Sequence, residues 1–423
     1  MILHLDLDSF FVSAHRTIDS SLLNIPVVVG GRSDPFIFDK EFNKTKVSTK
    51  NSGAFVQTLF IRDKQIGFEE FFKEGDRLRG IVITASYEAR SYGIKTGMSI
   101  REALNRCKNL KVLTPNHSLY HYYSNKLKHY LYKQIPIVEQ YSIDEFFADV
   151  TGWVEKNEVE EFAKELKDDI FKEFKLPISI GIAKTKWIAK FATKFAKPDG
   201  VKLILPNELD NYLKQTPLER FPGIGRAFSK KLYSYKKKTL WDIKTSKALL
   251  YSFGKAGEDI YKRVCGIDKE KVLPYHDRKS IGISRTFDPI VDRKEIKRRI
   301  IILARHLVYL ISKNNHKPST LYLSIRYEYA KSKKQITFNR IFNEIFFMKT
   351  IIKLFNEIDI YKHSKIIRIS ISLRNFKTIS KETYSLFEYD KDRKYAKLLY
   401  ETTKLREKYG IDILRFASEV GEL

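Results

Sequence analysis

Apolar positions along the chain follow two rhythms that alternate several times. Ile2-Leu3-His4-Leu5-Asp6-Leu7 is a short apolar run carrying acids at its end, which predicts a strand. Ile25 to Val29, stopped by Gly30-Gly31, predicts a second strand, and Ile81 to Ala85 a third. Ser99 to Cys107 and Leu119 to Tyr132 carry helical spacing. Val138 to Val150 reads as a hairpin, Glu155 to Phe174 as a helix and Pro177 to Ala183 as a strand. Gly181 in that strand would let another backbone approach closely. A helix from Thr185 to Ala196 ends at Lys197-Pro198-Asp199-Gly200, a turn signal. Strands alternating with helices, without an internal repeat, predict an α/β domain with a mixed sheet.

From Asn207 to Asp268 the pattern is helical and broken into short pieces. After Lys279 it changes again, to strand 280–287, helix 292–313, strands 320–330 and 333–341, helix 347–358 and strand 365–375. That βαββαβ order predicts a ferredoxin-like module. The stretch Arg263 to Lys279 reads as a linker, and Arg393 to Glu419 as one or two charged helices.

Composition narrows the class. With 423 residues, 43% of them hydrophobic, the chain can bury several cores. No apolar run reaches the ~18 residues of a membrane helix, since Arg305 and His306 interrupt Ile300 to Leu310. The N-terminus has no basic segment before an apolar stretch, so no secretory signal is expected. Cys107 and Cys265 cannot build a disulfide framework or a cysteine zinc site. A soluble, monomeric, cytoplasmic chain without a membrane partner is expected. Charge adds more: 78 Lys+Arg against 51 Asp+Glu leave a net +27. A lysine-rich proteome could produce that excess, but its distribution favours a polyanion partner. Residues 281–380 hold 21 Lys+Arg and 7 Asp+Glu, as a nucleic-acid-binding module would.

Asp6-Leu7-Asp8 closes the first strand, and Asp144-Glu145 follows Tyr141-Ser142-Ile143 in the hairpin. Acids at the ends of two adjacent strands can converge, and converging carboxylates repel unless a cation lies among them. Hard oxygen donors suit Mg²⁺. Two such ions can activate an attacking oxygen and stabilise a leaving one. Taken alone, such acids are more often solvated strand ends, a reading that two acidic pairs in apolar strands of a basic chain make less comfortable.

Four motifs occur in the order found in Y-family translesion DNA polymerases of the DinB/UmuC type, which the sequence resembles over nearly its whole length. They are Asp6-Leu7-Asp8-Ser9-Phe10-Phe11, Ser86-Tyr87-Glu88-Ala89-Arg90, Tyr141-Ser142-Ile143-Asp144-Glu145 and Ala196-Lys197-Pro198-Asp199-Gly200. The resemblance implies multidomain α/β and α+β architecture. It assigns a palm with small fingers to 1–32 and 81–206, and a helix-hairpin-helix thumb to 207–268. A linker at 269–279, a ferredoxin-like little finger at 280–380 and a tail at 381–423 complete it. It implies template-directed addition of deoxynucleoside triphosphates to a primer, with two Mg²⁺ ions held by Asp6, Asp144, Glu145 and the Leu7 carbonyl. Tyr87, Arg90 and Lys197 resemble the triphosphate-binding set, joined by the backbone of Ser9, Phe10 and Phe11 at a strand-to-helix turn. Arg offers a fork to phosphate and Lys a point charge. Phe11 resembles the gate that leaves no space for a 2′-hydroxyl. His15 departs from the acid common at its position and takes no role.

Leu218-Glu219-Arg220-Phe221-Pro222-Gly223-Ile224-Gly225 has helix-hairpin-helix form. Gly223 and Gly225 permit a turn whose N–H groups can face a DNA phosphate, beside Lys230 and Lys231. Phe253-Gly254-Lys255-Ala256-Gly257 is a weaker second copy. Alternation in Leu321 to Tyr327 would put Tyr and Arg opposite Leu and Ile. Tyr384-Ser385-Leu386-Phe387 resembles the end of a sliding-clamp-binding peptide, with Leu386 and Phe387 as anchors and Thr383 where Gln normally stands. Ser33 to Gly80 is an insertion relative to the family. Its eight phenylalanines predict a packed subdomain beside the fingers, with a small core of its own. A catalytically silent DNA-binding scaffold is the alternative, though such a protein has no need of a costly acidic cluster. A palm-type nucleotide cyclase would leave the hairpin motif and the basic module unexplained.

Overall fold

The structure is a computed structural model. It describes residues 1–32, 37–38, 67–75, 77–275, 277–376 and 385–419, and the backbone of 45–48, 59–62 and 420. Two compact units form. The first holds Met1–Gly30 and Val82–His276; the second holds Asp277–Leu423 with the described residues between Gly31 and Ile81.

The first unit is built on a five-stranded sheet in the order Val201–Ile204, Ile178–Ala183, Ile2–Leu7, Glu145–Asp149, Ile137–Gln140. Ile2–Leu7 runs antiparallel to both neighbours, and only Ile178–Ala183 with Val201–Ile204 is parallel. The period of two divides the central strand between two cores. Leu3, Leu5 and Leu7 pack with Leu127 and Leu131 of helix His117–Gln134 and Ala163 and Ile170 of helix Val159–Phe174. Ile2 joins Phe147 and helix Lys186–Ala196 on the other side, which is also the face of His4 and Asp6. That helix lies very close to the sheet. A Cβ on Gly181 would stand 2.2 Å from the Ala189 carbonyl oxygen and 2.3 Å from the Thr193 nitrogen, so the approach expected at this glycine is present.

A second sheet orders Ile81–Ala85, Val27–Gly31 and Lys111–Leu113. The insertion therefore leaves and returns between two neighbouring strands. Further on, the short helices Leu209–Gln215, Arg226–Ser234, Leu240–Lys244, Lys247–Tyr251 and Lys255–Val264 share a core of Leu213, Leu232, Leu240, Ile243, Leu250 and Ile260.

The second unit has the expected βαββαβ order in strands Ser280–Ile290, Pro318–Tyr327, Lys331–Thr337 and Ile366–Phe376 and helices Arg293–Lys313 and Glu344–Ile358. Its sheet order corrects the ferredoxin-like expectation. The second and fourth strands are central, and the first and third are edges. A split βαβ is kept, with Ile366–Phe376 lying between Ser280–Ile290 and Pro318–Tyr327. Burial explains the choice: Pro318–Tyr327 is nearly all core, whereas the lysine-rich Lys331–Thr337 is mostly exposed and suits an edge. Tyr322 and Arg326 do lie off the core face, but Tyr327 is buried and donates to Asp359 Oδ1 at 2.8 Å.

The tail closes on this unit. Arg305, which interrupts the apolar run of its helix, is fully buried and meets Glu419 at 2.9 Å and Asp412 at 2.7 Å. Arg406, on helix Tyr389–Tyr409, pairs with Glu344 at 3.0 Å. Of the insertion's described residues, Phe38 packs outside the small core expected for it. Phe38 enters the core of the second unit, edge-on to Phe287 at 6.0 Å, and its carbonyl accepts from Arg298 at 2.8 Å. Arg79 reaches Asp288 at 2.6 Å. Phe71 and Phe72 do form a local pair, edge-to-face at 4.8 Å. Aromatic content thus signalled packing without saying what the rings pack on. Phe36, Phe42, Phe55 and the Phe60 side chain lie outside the described residues, as do Thr383 and Tyr384.

Candidate active site

Register assembles the acids. Asp6 stands directly across from Glu145 on the neighbouring strand and from Ser179 on the other side. The Leu7 N–H donates to the Asp144 carbonyl at 3.1 Å, tying the two acidic motifs together through the backbone. Ser142 Oγ lies 2.5 Å from Asp144 Oδ1 and 3.3 Å from Glu145 Oε2. Burial raises the Asp6 carboxyl to about 7; Lys197 opposes the shift, and Glu145 and Asp144 add to it. Burial likewise raises Asp144, against the bond from Ser142.

Lysines of one helix face answer these charges. Lys197, just past the end of helix Lys186–Ala196, donates to Asp6 Oδ1 at 2.6 Å and lies 3.6 Å from Asp8. Burial acts to lower the Lys197 pKa, but Asp6 and its hydrogen bond prevail and raise it. Lys190 is hydrogen-bonded to Glu145 and lies 3.3 Å from His4 Nε2. His4 Nδ1 is 2.8 Å from Thr193 Oγ1, and burial, then Lys190, holds its pKa well below the usual range. Among the described residues no three acidic, His or Cys side chains are close enough as they stand to hold one metal ion. Each carboxylate is instead turned to an internal partner. The donor set is nonetheless all oxygen, desolvated and mutually repelling, which is the chemistry a hard divalent cation completes.

Around this cluster lie the other expected residues. Ser9, at φ +46°, turns the chain from strand into helix Phe10–Arg16, and its Oγ donates to the Ala85 carbonyl at 3.0 Å. The N–H groups of Phe10 and Phe11 fall in that helix's first turn, where no intrahelical acceptor exists. Ser86 caps helix Tyr87–Ser91 by accepting from the Ala89 N–H at 3.1 Å. Tyr87 is not idle: its hydroxyl donates to Asp8 Oδ1 at 2.9 Å, and burial, then Asp8, raises its pKa. Arg90 is an exposed residue whose guanidinium lies over the Tyr87 ring at 4.8 Å and donates from Nε to the Ala85 carbonyl at 3.1 Å. Asp8 is buried and also accepts from Ser179 Oγ and the Asp199 N–H, both at 2.7 Å. It is the tie between three of the motifs, a role its place in the sequence did not reveal. Gly223, at φ +92°, and Gly225 are exposed, beside exposed Lys230 and Lys231. In the second unit Leu386 and Phe387 are 92% and 100% exposed.

The sequence profile of the impB/mucB/samB family matches residues 5–194, and that of its C-terminal domain matches 278–386. A DNA polymerase IV of Streptococcus agalactiae is 30% identical over 330 residues, covering 77% of this chain and 80% of its own. This chain belongs to the Y-family DNA polymerases of the DinB type. A DNA polymerase IV of Clostridioides difficile is 28% identical over 401 residues, covering 92% of this chain and 97% of its own. Among solved structures, a chimeric Y-family DNA polymerase matches the fold with a TM-score of 0.69 at 23% identity, over 89% of this chain and 98% of its own. This Y-family member is a DNA-directed DNA polymerase of translesion synthesis. No helix among its described residues is long and apolar enough to cross a membrane.

Proposed function

We propose that Asp6, Asp144 and Glu145, with the Leu7 carbonyl, hold two Mg²⁺ ions for nucleotidyl transfer. The observation that carries this is Asp6 directly opposite Glu145, with the Asp144 backbone bonded to Leu7. When bound, the ions would activate the primer 3′ oxygen and stabilise the leaving pyrophosphate. The chain's own residues bind and orient. Lys197, Arg90 and the Tyr87 hydroxyl grip the triphosphate of an incoming deoxynucleotide, aided by the N–H groups of Ser9, Phe10 and Phe11. Phe11 closes the space beneath the sugar. In this reading the first unit supplies palm, fingers and a thumb that holds DNA phosphate at Gly223, Gly225, Lys230 and Lys231.

The second unit is a little finger that follows the primer-template duplex. Lys331, Arg326 and Arg368 stand abreast on three neighbouring strands, all exposed. Like charges directly opposite each other are destabilising. A phosphate backbone would relieve that cost, and binding would weaken steeply with salt. Leu386 and Phe387 offer two apolar anchors to a sliding clamp. The enzyme acts as a cytoplasmic monomer.

Primer extension with Mg²⁺ and all four deoxynucleotides tests the reading. Asp144→Asn or Glu145→Gln should abolish nucleotide addition and leave duplex binding near wild type. Extension by either variant at wild-type rate would refute the assignment.

A further inference from the structure

The gate ring Phe11 does not stand alone. It stacks on Tyr120, with centroids 4.1 Å apart and planes 14° from parallel. Tyr120 belongs to helix His117–Gln134 and is fully buried. Its hydroxyl oxygen is gripped from two sides, 3.1 Å from the Asn116 N–H and 2.9 Å from His15 Nε2. The oxygen accepts from the Asn116 N–H, and its bond with His15 runs in the direction that the imidazole tautomer sets.

His15 follows Phe11 by one helical turn, so the two side chains share a face of helix Phe10–Arg16. One helix thus offers a ring to stack on Tyr120 and, four residues later, a hydrogen-bond partner for the Tyr120 hydroxyl. Phe10 at 6.0 Å and His117, at a right angle and 5.8 Å, are further ring neighbours of Tyr120. Tyr120 cannot tilt without breaking the His15 bond, and Phe11 cannot tilt toward Tyr120 without displacing it. A gate excludes a 2′-hydroxyl only to the extent that its ring does not yield.

We infer that Tyr120, oriented by His15, is a positioning residue that keeps Phe11 rigid and so sets sugar discrimination. The inference rests on the reading of Phe11 as the gate. It also gives a role to the histidine that departs from the family's acid.

The test is the ratio of kcat/KM for a deoxynucleotide to that for its ribonucleotide on undamaged template. Phe11→Ala should collapse the ratio. Tyr120→Leu should lower it about tenfold, the scale of one lost stacked pair. Tyr120→Phe, which spares the stacked ring and removes both bonds of the hydroxyl, and His15→Leu, which removes the His15 bond and ring, should each lower it about threefold. In each case ribonucleotide use should rise, which a general packing defect cannot produce. Tyr120→Leu added to Phe11→Ala should change nothing further. If Phe11→Ala leaves the ratio intact, the gate reading fails and this inference fails with it. If Phe11→Ala collapses the ratio while Tyr120→Phe, His15→Leu and Tyr120→Leu stay within about twofold of wild type, the gate stands and the positioning role is overturned. Should Tyr120→Leu not fold, the two milder variants decide.

Discussion

Lys197 Nζ donates to Asp6 Oδ1 at 2.6 Å, joining residues 191 positions apart. The ammonium sits where the buried carboxylates most need a counter-charge. Of its three N–H groups one serves Asp6, which leaves donors for a nucleotide phosphate. Nucleotide binding in the proposed site would therefore add a second charge-assisted bond of Lys197 to the first.

Lys197→Ala should lose the second of these bonds as well as the first. The KM for the incoming deoxynucleotide should rise at least about tenfold, with duplex affinity unchanged. Steady-state single-nucleotide insertion measures the first and a binding titration the second. An unchanged KM would remove Lys197 from the triphosphate set.

Much of this site was legible because it is local. Asp6 ends an apolar strand, Asp144-Glu145 sits in a hairpin, and Gly181 announced a close helix. Lys190 was legible in principle: with Lys186, Thr193 and Lys197 it marks one face of a single helix. What the sequence withheld was pairing. Neither the position of Ile366–Phe376 inside its sheet nor the hub at Asp8 follows from periodicity, since both depend on which strands meet. Phe38 is the sharpest case. An aromatic residue predicts burial, but its partner Phe287 lies 249 positions away in another module.

Acid should weaken the second unit through His306. This residue is buried, 2.8 Å from the Ile302 carbonyl, and burial followed by Arg305 holds its pKa well below the usual value of 6.5. The unfolded chain takes up a proton near 6.5 and the folded one does not. The neutral ring's contribution is thus fully present above that pH and lost as pH falls through and below it. The slope is about 1.4 kcal/mol per pH unit for one such group. Thermal unfolding between pH 7 and pH 5 should show a steeper decline for wild type than for His306→Gln; parallel declines would exclude this histidine as a source.

The apolar pair at the start of the tail is held in place, not adrift. The Ser385 N–H donates to the Asn339 carbonyl at 3.2 Å, and Arg340 reaches Glu388 and Asp392, both at 2.7 Å. Leu386 and Phe387 lie between these ties with almost their whole surface in water. Replacing both with alanine should abolish stimulation by a sliding clamp and spare clamp-free synthesis. Equal stimulation of variant and wild type in a primer-extension series with added clamp would leave the pair without that role.

Removal of the insertion separates architecture from chemistry. Each residue assigned to metal, triphosphate or sugar lies outside Ser33 to Gly80. Described contacts tie the insertion into the second unit, of which its described residues are part, through Phe38 on Phe287, Arg298 on the Phe38 carbonyl and Arg79 on Asp288. Replacing Ser33 to Arg79 with a short Gly-Ser link should therefore keep Mg²⁺-dependent synthesis on undamaged template within about tenfold of wild type. The cost should appear as lost stability. Phe38→Ala alone should destabilise by about 3 kcal/mol, the scale of an aromatic side chain removed from a core. Denaturant unfolding and single-nucleotide insertion read the two effects separately. A deletion protein that is folded and binds DNA but adds no nucleotide would return the insertion to the active site.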